Sequence, residues 1–255
     1  MEIKNCSAIV SGGASGMGAA TARMLSSAGA KVTILDVNLA AAEKVAAEIN
    51  GLALACDITN ADSVEQALQQ AAIQHGIASI CVNCAGIVRA RRIVGKQGTM
   101  PLAEFREVIE VNLIGSFNLL RLAAAEMTKL EVADSSIERG VIINTASIAA
   151  YEGQIGQSAY SASKGGIVSL TLPAARELAQ FGIRVMAIAP GLVETPMLRD
   201  IPDETRTTLI SHIPFPKRLA HPEEYAKLVI HIIENSMLNG EVIRLDGALR
   251  MPVRR

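Results

Sequence analysis

The chain has 255 residues, half of them apolar, with three Tyr, four Phe, no Trp and a net charge of −1. That balance lacks the basic excess of a chain whose main partner is nucleic acid, and no apolar run reaches the roughly 18 residues that cross a bilayer. The size suits a single α/β domain over 1–255, with aliphatic side chains filling the core.

In chain order, a predicted strand over Cys6–Ser11 runs into Ser11-Gly12-Gly13-Ala14-Ser15-Gly16-Met17-Gly18 and a helix over Gly16–Ala28. Small residues at a strand-to-helix turn let backbone N–H groups approach a pyrophosphate at the positive end of a helix. The spacing is Gly12-x3-Gly16-x-Gly18 and not G-x-G-x-x-G, so by itself the loop is a weak signal. The strand Lys31–Asp36 strengthens it, because it ends in an acid about 20 residues on, where a carboxylate accepts hydrogen bonds from an adenosine ribose. Asp36 would repel a 2′-phosphate, and no Arg or Lys nearby offsets it, so the expected cofactor is NAD. A helix over Leu39–Ile49 and a strand over Leu52–Cys56 lead to Asp57-Ile58, and a helix over Ala61–His75 leads to a strand over Ser79–Asn83. Asp57-Ile58 and Asn83-Cys84-Ala85-Gly86 follow strand ends where the adenine and its ribose would lie.

Beyond these come an irregular segment Val88–Thr99, a long helix Pro101–Lys129, a second irregular segment Val132–Arg139 and a strand Val141–Ser147. A helix over Gln157–Phe181, kinked or broken at Pro173, precedes a strand over Ile183–Ala189. The irregular stretch Gly191–Lys217 reads as a lid, followed by a helix Pro222–Glu234 and a strand Glu241–Leu245. Several strands are apolar throughout, as in a parallel sheet covered on both faces, and their alternation with helices argues for a doubly wound Rossmann-type sheet of seven strands.

Tyr160 and Lys164 lie four apart on one helix face, Ser147 ends the fifth strand, and Asn112 stands between apolar neighbours. A phenol with an ordinary pKa near 10 is a poor base at neutral pH, and lowering it by about three units asks for roughly 4 kcal/mol. A neighbouring ammonium, Lys164, together with a cationic nicotinamide would favour the phenolate. Tyr160 would then act as general acid/base, Ser147 would hold the substrate oxygen, and Asn112 would hold a water linking Lys164 to solvent. Cys6, Cys56, Cys81 and Cys84 lack the spacing of a disulfide framework, which suits a reducing cytoplasm. Met1–Asn5 is too short for a targeting segment. Cys81 and Cys84 form a Cys-x-x-Cys without a second ligand pair, and His75, His212, His221 and His231 form no cluster, so no metal is expected.

Gly12-x3-Gly16-x-Gly18, Asn83-Cys84-Ala85-Gly86, Asn112, Ser147, Tyr160-x3-Lys164 and Pro190-Gly191 together resemble the short-chain dehydrogenase/reductase family over essentially the whole chain. The resemblance implies strand order 3-2-1-4-5-6-7, a homotetramer assembled through long helices and the C-terminal strand, and hydride transfer between NAD and a secondary alcohol or ketone. Gly140–Ser147, Tyr151–Gln157, Ile213–Arg218 and Asn239–Ala248 further resemble the type 2 3-hydroxyacyl-CoA dehydrogenases, also called 17β-hydroxysteroid dehydrogenase type 10. That implies NAD contacts from Ser15, Met17, Asp36, Asp57, Ile58, Cys84, Tyr160, Lys164, Val193 and Thr195, with Ser147, Gln157 and Tyr160 toward substrate. It also implies oxidation of (S)-3-hydroxyacyl-CoA. The alternatives are a hydroxysteroid or other secondary-alcohol dehydrogenase, and an NAD-binding partner subunit. Val193-Glu194-Thr195 departs from the aromatic-plus-glycine version associated with animal members, which are mitochondrial; this chain looks like a bacterial cytoplasmic relative. Arg89, Arg91, Arg92 and Lys96 are either a solvated basic loop or a site for coenzyme A phosphates. Met197, Leu198, Ile201, Leu209 and Ile210 either line an acyl pocket or pack the lid.

Overall fold

The computed structural model describes residues 1–131, 138–196 and 203–253. Its centre is a parallel sheet of seven strands in the order β3-β2-β1-β4-β7-β8-β9. These are β1 (Ser7–Ser11), β2 (Lys31–Asp36), β3 (Leu52–Ala55), β4 (Ile80–Asn83), β7 (Gly140–Thr145), β8 (Ile183–Pro190) and β9 (Val242–Leu245). The order expected from the resemblance is the one found, with a two-stranded hairpin, β5 (Val94–Gly95) and β6 (Gly98–Thr99), inserted after β4. That hairpin occupies part of the segment expected to be irregular.

Successive strand residues face opposite sides of a sheet, and here each side meets helices. Val10, Val82 and Ile143 join one core with Leu25 of α1 (Gly16–Ser27) and Val229 of α8 (Pro222–Glu234). Their neighbours Ile9, Cys81 and Ile142 join the other with Leu68 of α3 (Ala61–His75) and Leu119 of α5 (Ser116–Met127). Burial on both faces explains why the strands read as continuous apolar runs. The remaining helices are α2 (Leu39–Glu48), α4 (Leu102–Ile109), α6 (Ser158–Leu178) and α7 (Asp203–Ser211).

Several expectations need correction. The predicted helix Pro101–Lys129 is α4, a π-helical segment Glu110–Gly115, and α5. An extra residue in that turn turns Asn112 toward β4 while Leu113 packs beneath Gly166 of α6, where a Cβ would lie 2.6 Å from Leu113 Cδ2. Leu102–Met127 is also long and apolar enough to cross a membrane, contrary to the composition-based reading, but half of it is buried inside the fold, as in a core helix. α6 runs through Pro173 without a break. Pro173 and Ser169 both lie on its exposed side, where the carbonyl left without an N–H partner can turn to water. The stretch 191–217 is not wholly irregular, since it contains α7. Most of Val132–Arg139, and Met197, Leu198 and Ile201 of the expected lid lining, lie outside the described residues.

The contact between Gly166 and Leu113 sets how closely α6 approaches the π segment. Gly166→Val should overpack it and lower the urea unfolding free energy by about 1–3 kcal/mol at an unchanged denaturant slope.

Candidate active site

At the C-terminal ends of the central strands lies a cleft of about 840 Å³, within the roughly 300–1,000 Å³ range of small-molecule sites. One half is backbone packed on backbone. Gly12 has φ +64°, and a Cβ on it would lie 2.6 Å from the amide nitrogen of Ala85; a Cβ on Gly18 would collide with the Gly12 carbonyl oxygen. Ser15 is the N-cap of α1 but makes no side-chain cap, so the N–H groups of the first turn stay available at the positive end of the helix. The Asp36 carboxylate accepts one N–H at each oxygen, from Ala14 at 3.1 Å and Asn38 at 3.0 Å. A carboxylate has about four acceptor positions, so capacity remains on the side that lines the cleft. This half therefore fits a dinucleotide: a cradle that side chains would fill, a helix N-terminus, and an acid at the next strand end.

Of the residues singled out from sequence, Gly12, Ser15, Gly16, Met17, Gly18, Asp36, Asp57, Ile58, Cys84, Ala85 and Gly86 all line this cleft. So do Pro190, Gly191, Val193 and Thr195 beyond β8, and Ser147, Gln157, Tyr160 and Lys164 on the other wall. Asn83 and Asn112 do not. Asn83 is a buried cross-link: it accepts from Ser11 Oγ at 3.3 Å and donates to Asn144 Oδ1 at 2.7 Å. Asn112 accepts the Ile87 N–H at 2.8 Å and donates to the Ile87 carbonyl at 2.9 Å and to Ser163 Oγ at 3.1 Å. Its amide fixes the floor after β4, close to Lys164: a Cβ on Gly86 would lie 3.1 Å from Asn112 Oδ1 and 3.6 Å from Lys164 Nζ.

The catalytic wall is built by α6 and the end of β7. Lys164 is 4% exposed, and its Nζ donates to the Thr145 carbonyl at 2.7 Å, 5.8 Å from the centre of the Tyr160 ring. Ser147 caps a short turn by accepting the Ala149 N–H at 3.1 Å, and its hydroxyl favours the ionised form of Tyr160. Burial pushes Lys164 down to about 8, partly opposed by Cys84. Burial also pushes the Tyr160 phenol above its ordinary value, with Ser147 pulling the other way. The expected acidification of Tyr160 is therefore not a property of the protein groups alone. The ammonium faces a main-chain oxygen, and desolvation of the phenol outweighs its distant charge.

The Cys-x-x-Cys lies within the fold, at the end of β4 and just beyond it. Both thiols are free, and burial holds Cys81 up at about 12 and raises Cys84 as well. Among the described residues no group of His, Cys, Asp and Glu could hold a metal.

The sequence pattern of the family described as short chain dehydrogenase matches residues 7–206. The chain belongs to the short-chain dehydrogenase family. It is 53% identical to bovine 3-hydroxyacyl-CoA dehydrogenase type-2 over 254 residues, covering 98% of this chain and 97% of the relative. The human protein of the same name is 51% identical with the same coverage. A crystal structure of 3-hydroxyacyl-CoA dehydrogenase type-2 from Mycobacterium avium superposes with a TM-score of 0.92 at 40% identity, covering 98% of both chains. Membership in the short-chain dehydrogenase family brings a nicotinamide cofactor, which the glycine-loop half of the cleft fits.

Sequence reasoning missed Thr145, Tyr225 and Met251. Thr145 and Met251 line the cleft, and Tyr225 hydrogen-bonds Thr145 from behind it. Tyr225 sits on the apolar stripe of α8, where it reads as core, and Met251 arrives from the C-terminal tail without a local pattern.

A buried lysine whose pKa is depressed in the folded state costs stability. The cost is absent above the unfolded value near 10.5 and complete below about 8, because between the two the unfolded chain binds the extra proton. Lys164→Met should thus abolish turnover yet stabilise the coenzyme-free protein at pH 7, by up to about 3 kcal/mol. The gain in Tm should shrink as the melts are repeated from pH 8 to pH 10.5.

Proposed function

We propose that the chain oxidises (S)-3-hydroxyacyl-CoA to 3-oxoacyl-CoA, with NAD as the hydride acceptor. One observation carries the dehydrogenase chemistry: Ser147, Tyr160 and Lys164 converge on one wall of the cleft whose other half is the glycine loop and Asp36. The acyl-CoA assignment is supported by relatives of that name, half identical over nearly the whole chain.

Ser147, on the same wall of the cleft as Tyr160, is placed to hold the substrate oxygen against the phenol. Tyr160 takes the hydroxyl proton as the alcohol becomes a ketone and returns it in the reverse direction. Lys164, held in place by Thr145, contributes a fixed positive charge behind the phenol. When bound, the nicotinamide supplies the hydride-accepting carbon and, in its oxidised form, a second positive charge that helps bring the phenol toward ionisation. NAD is preferred over NADP because Asp36 would face a 2′-phosphate with a carboxylate.

The basic loop is narrower as a phosphate site than its sequence suggests. Arg89 pairs with Glu107 at 2.9 Å and Arg91 with Glu104 at 2.6 Å, straps that hold the loop to α4. Arg92 and Lys96 are exposed and have no ion pair among the described residues, so they are the cations left for coenzyme A phosphates. The apolar part of the cleft includes Ile87, Val88, Leu192, Leu209 and Met251. Of the expected lid lining, Leu209 is there; Ile210 is not among the lining residues.

Partial exposure of Ile114 and Phe117 on the π segment and α5, and of Leu172 and Phe181 on and after α6, leaves apolar helix surface uncovered. A second copy of the chain fits it, in keeping with a tetramer, and sedimentation at micromolar concentration reads the count. Four free thiols agree with a cytoplasmic setting.

The decisive experiment follows NADH absorbance with acetoacetyl-CoA, a steroid ketone and a plain ketone, alongside the same assay with NADPH. Acetoacetyl-CoA with NADH should give the highest kcat/KM. Faster turnover of the steroid would transfer the assignment to hydroxysteroids, and no turnover of any would leave a binding protein. Tyr160→Phe should bind NADH normally and lose at least about 10³-fold in kcat, the scale of general acid/base catalysis; near-normal turnover would end the mechanism. In the same assay, Arg92→Ala with Lys96→Ala should raise the KM for acetoacetyl-CoA several-fold and leave that for the plain ketone unchanged. Equal effects would remove the phosphate role.

A further inference from the structure

Tyr225 is fully buried on the stripe of α8 that also carries Val229, Ile232 and Ile233. Packing there would be served as well by Phe, and a buried hydroxyl is costly unless it is hydrogen-bonded. Its bonds lead to the active site. Thr145 Oγ1 donates to the Asn83 carbonyl at 2.6 Å, so the 2.7 Å contact between Thr145 Oγ1 and Tyr225 Oη has the phenol as donor. Tyr225 Oη in turn accepts from Cys84 Sγ at 3.7 Å. A directed chain thus runs from the thiol through the phenol and the threonine to the end of β4. Burial holds both Tyr225 and Cys84 in their protonated, donating forms.

Thr145 is the joint. Its carbonyl accepts Lys164 Nζ at 2.7 Å, and two residues on, the same strand end presents Ser147. Through its side chain, α8 therefore grips from behind the residue that seats the ammonium in front. We infer that Tyr225 is a positioning residue for the dehydrogenase reaction: its hydroxyl clamps Thr145, and through it Lys164 and the end of β7 that carries Ser147. This rests on Tyr160 and Lys164 being the reacting pair.

Four variants, assayed with acetoacetyl-CoA and NADH, test the clamp. Tyr225→Phe removes one oxygen without changing the packing. It should retain its circular dichroism spectrum and NADH dissociation constant while kcat falls about five-fold, the scale of one neutral hydrogen bond. Thr145→Val should fall at least as far, and Tyr225→Phe added to it should change nothing more, because groups acting through one contact are not additive. Thr145→Ser, which keeps the hydroxyl, should recover most of the wild-type kcat. The inference is overturned by a Tyr225→Phe kcat equal to wild type, or by losses that multiply in the double variant. Should Tyr225→Phe fail to fold, the contrast between Thr145→Val and Thr145→Ser decides alone, and equal rates for those two overturn it. Tyr160→Phe run in parallel separates the two failures. If it stays active, the catalytic pair is wrong; if it is dead while Tyr225→Phe is unimpaired, only the clamp is wrong.

Discussion

The site depends on one contact: the ammonium of Lys164 held against the main-chain oxygen of Thr145, out of water. A buried cation is expensive to maintain, and here its pKa is pushed down toward 8 by that burial. The Thr145 carbonyl offsets part of that cost by accepting the ammonium at 2.7 Å. Stability is given up locally for chemistry, and the surrounding parallel sheet, buried on both faces, is what can tolerate the loss.

Around that contact the elements are arranged so that the chain presents backbone on one side and side chains on the other. Gly12 and Gly18 keep the turn of the dinucleotide half free of Cβ atoms that would collide with neighbouring backbone, leaving N–H groups and the helix end to meet phosphate. The opposite wall needs side-chain atoms at fixed places, and it takes them from the first two turns of α6 and from the turn that follows β7. Asn112 ties the π turn to the main chain after β4.

Ion pairs govern the rim. Arg89 and Arg91 strap the β4–α4 connection to α4. Near the C-terminus Arg244 holds Glu152 and Asp246 together. Gln154 donates to the carbonyl of Pro252, which brings Met251 back to the cleft. The exposed Arg89–Glu107 pair contributes little to global stability, whereas the Arg244 pairs are largely out of solvent. Together they hold the loops at the rim in one arrangement around the cleft.

Local physics made much of this legible in the sequence. Glycine spacing reports where backbone must approach closely, uninterrupted apolar runs report strands covered on both faces, and Tyr160 and Lys164 four apart report a shared helix face. Those features depend on residues within a few positions of one another, so the Rossmann-type sheet, the dinucleotide cradle and the catalytic helix could be read in advance. The π turn could not, because it arises from the meeting of Leu113 with Gly166 and of Gly115 with Ile58, contacts that span distant elements. The direction of the Tyr160 shift was hidden for the same reason: desolvation is a sum over everything packed nearby, and sequence spacing shows the lysine but not the wall. Likewise Tyr225 lies 80 residues from Thr145; only the closing of α8 over the sheet turns an ordinary core tyrosine into a partner of the active site.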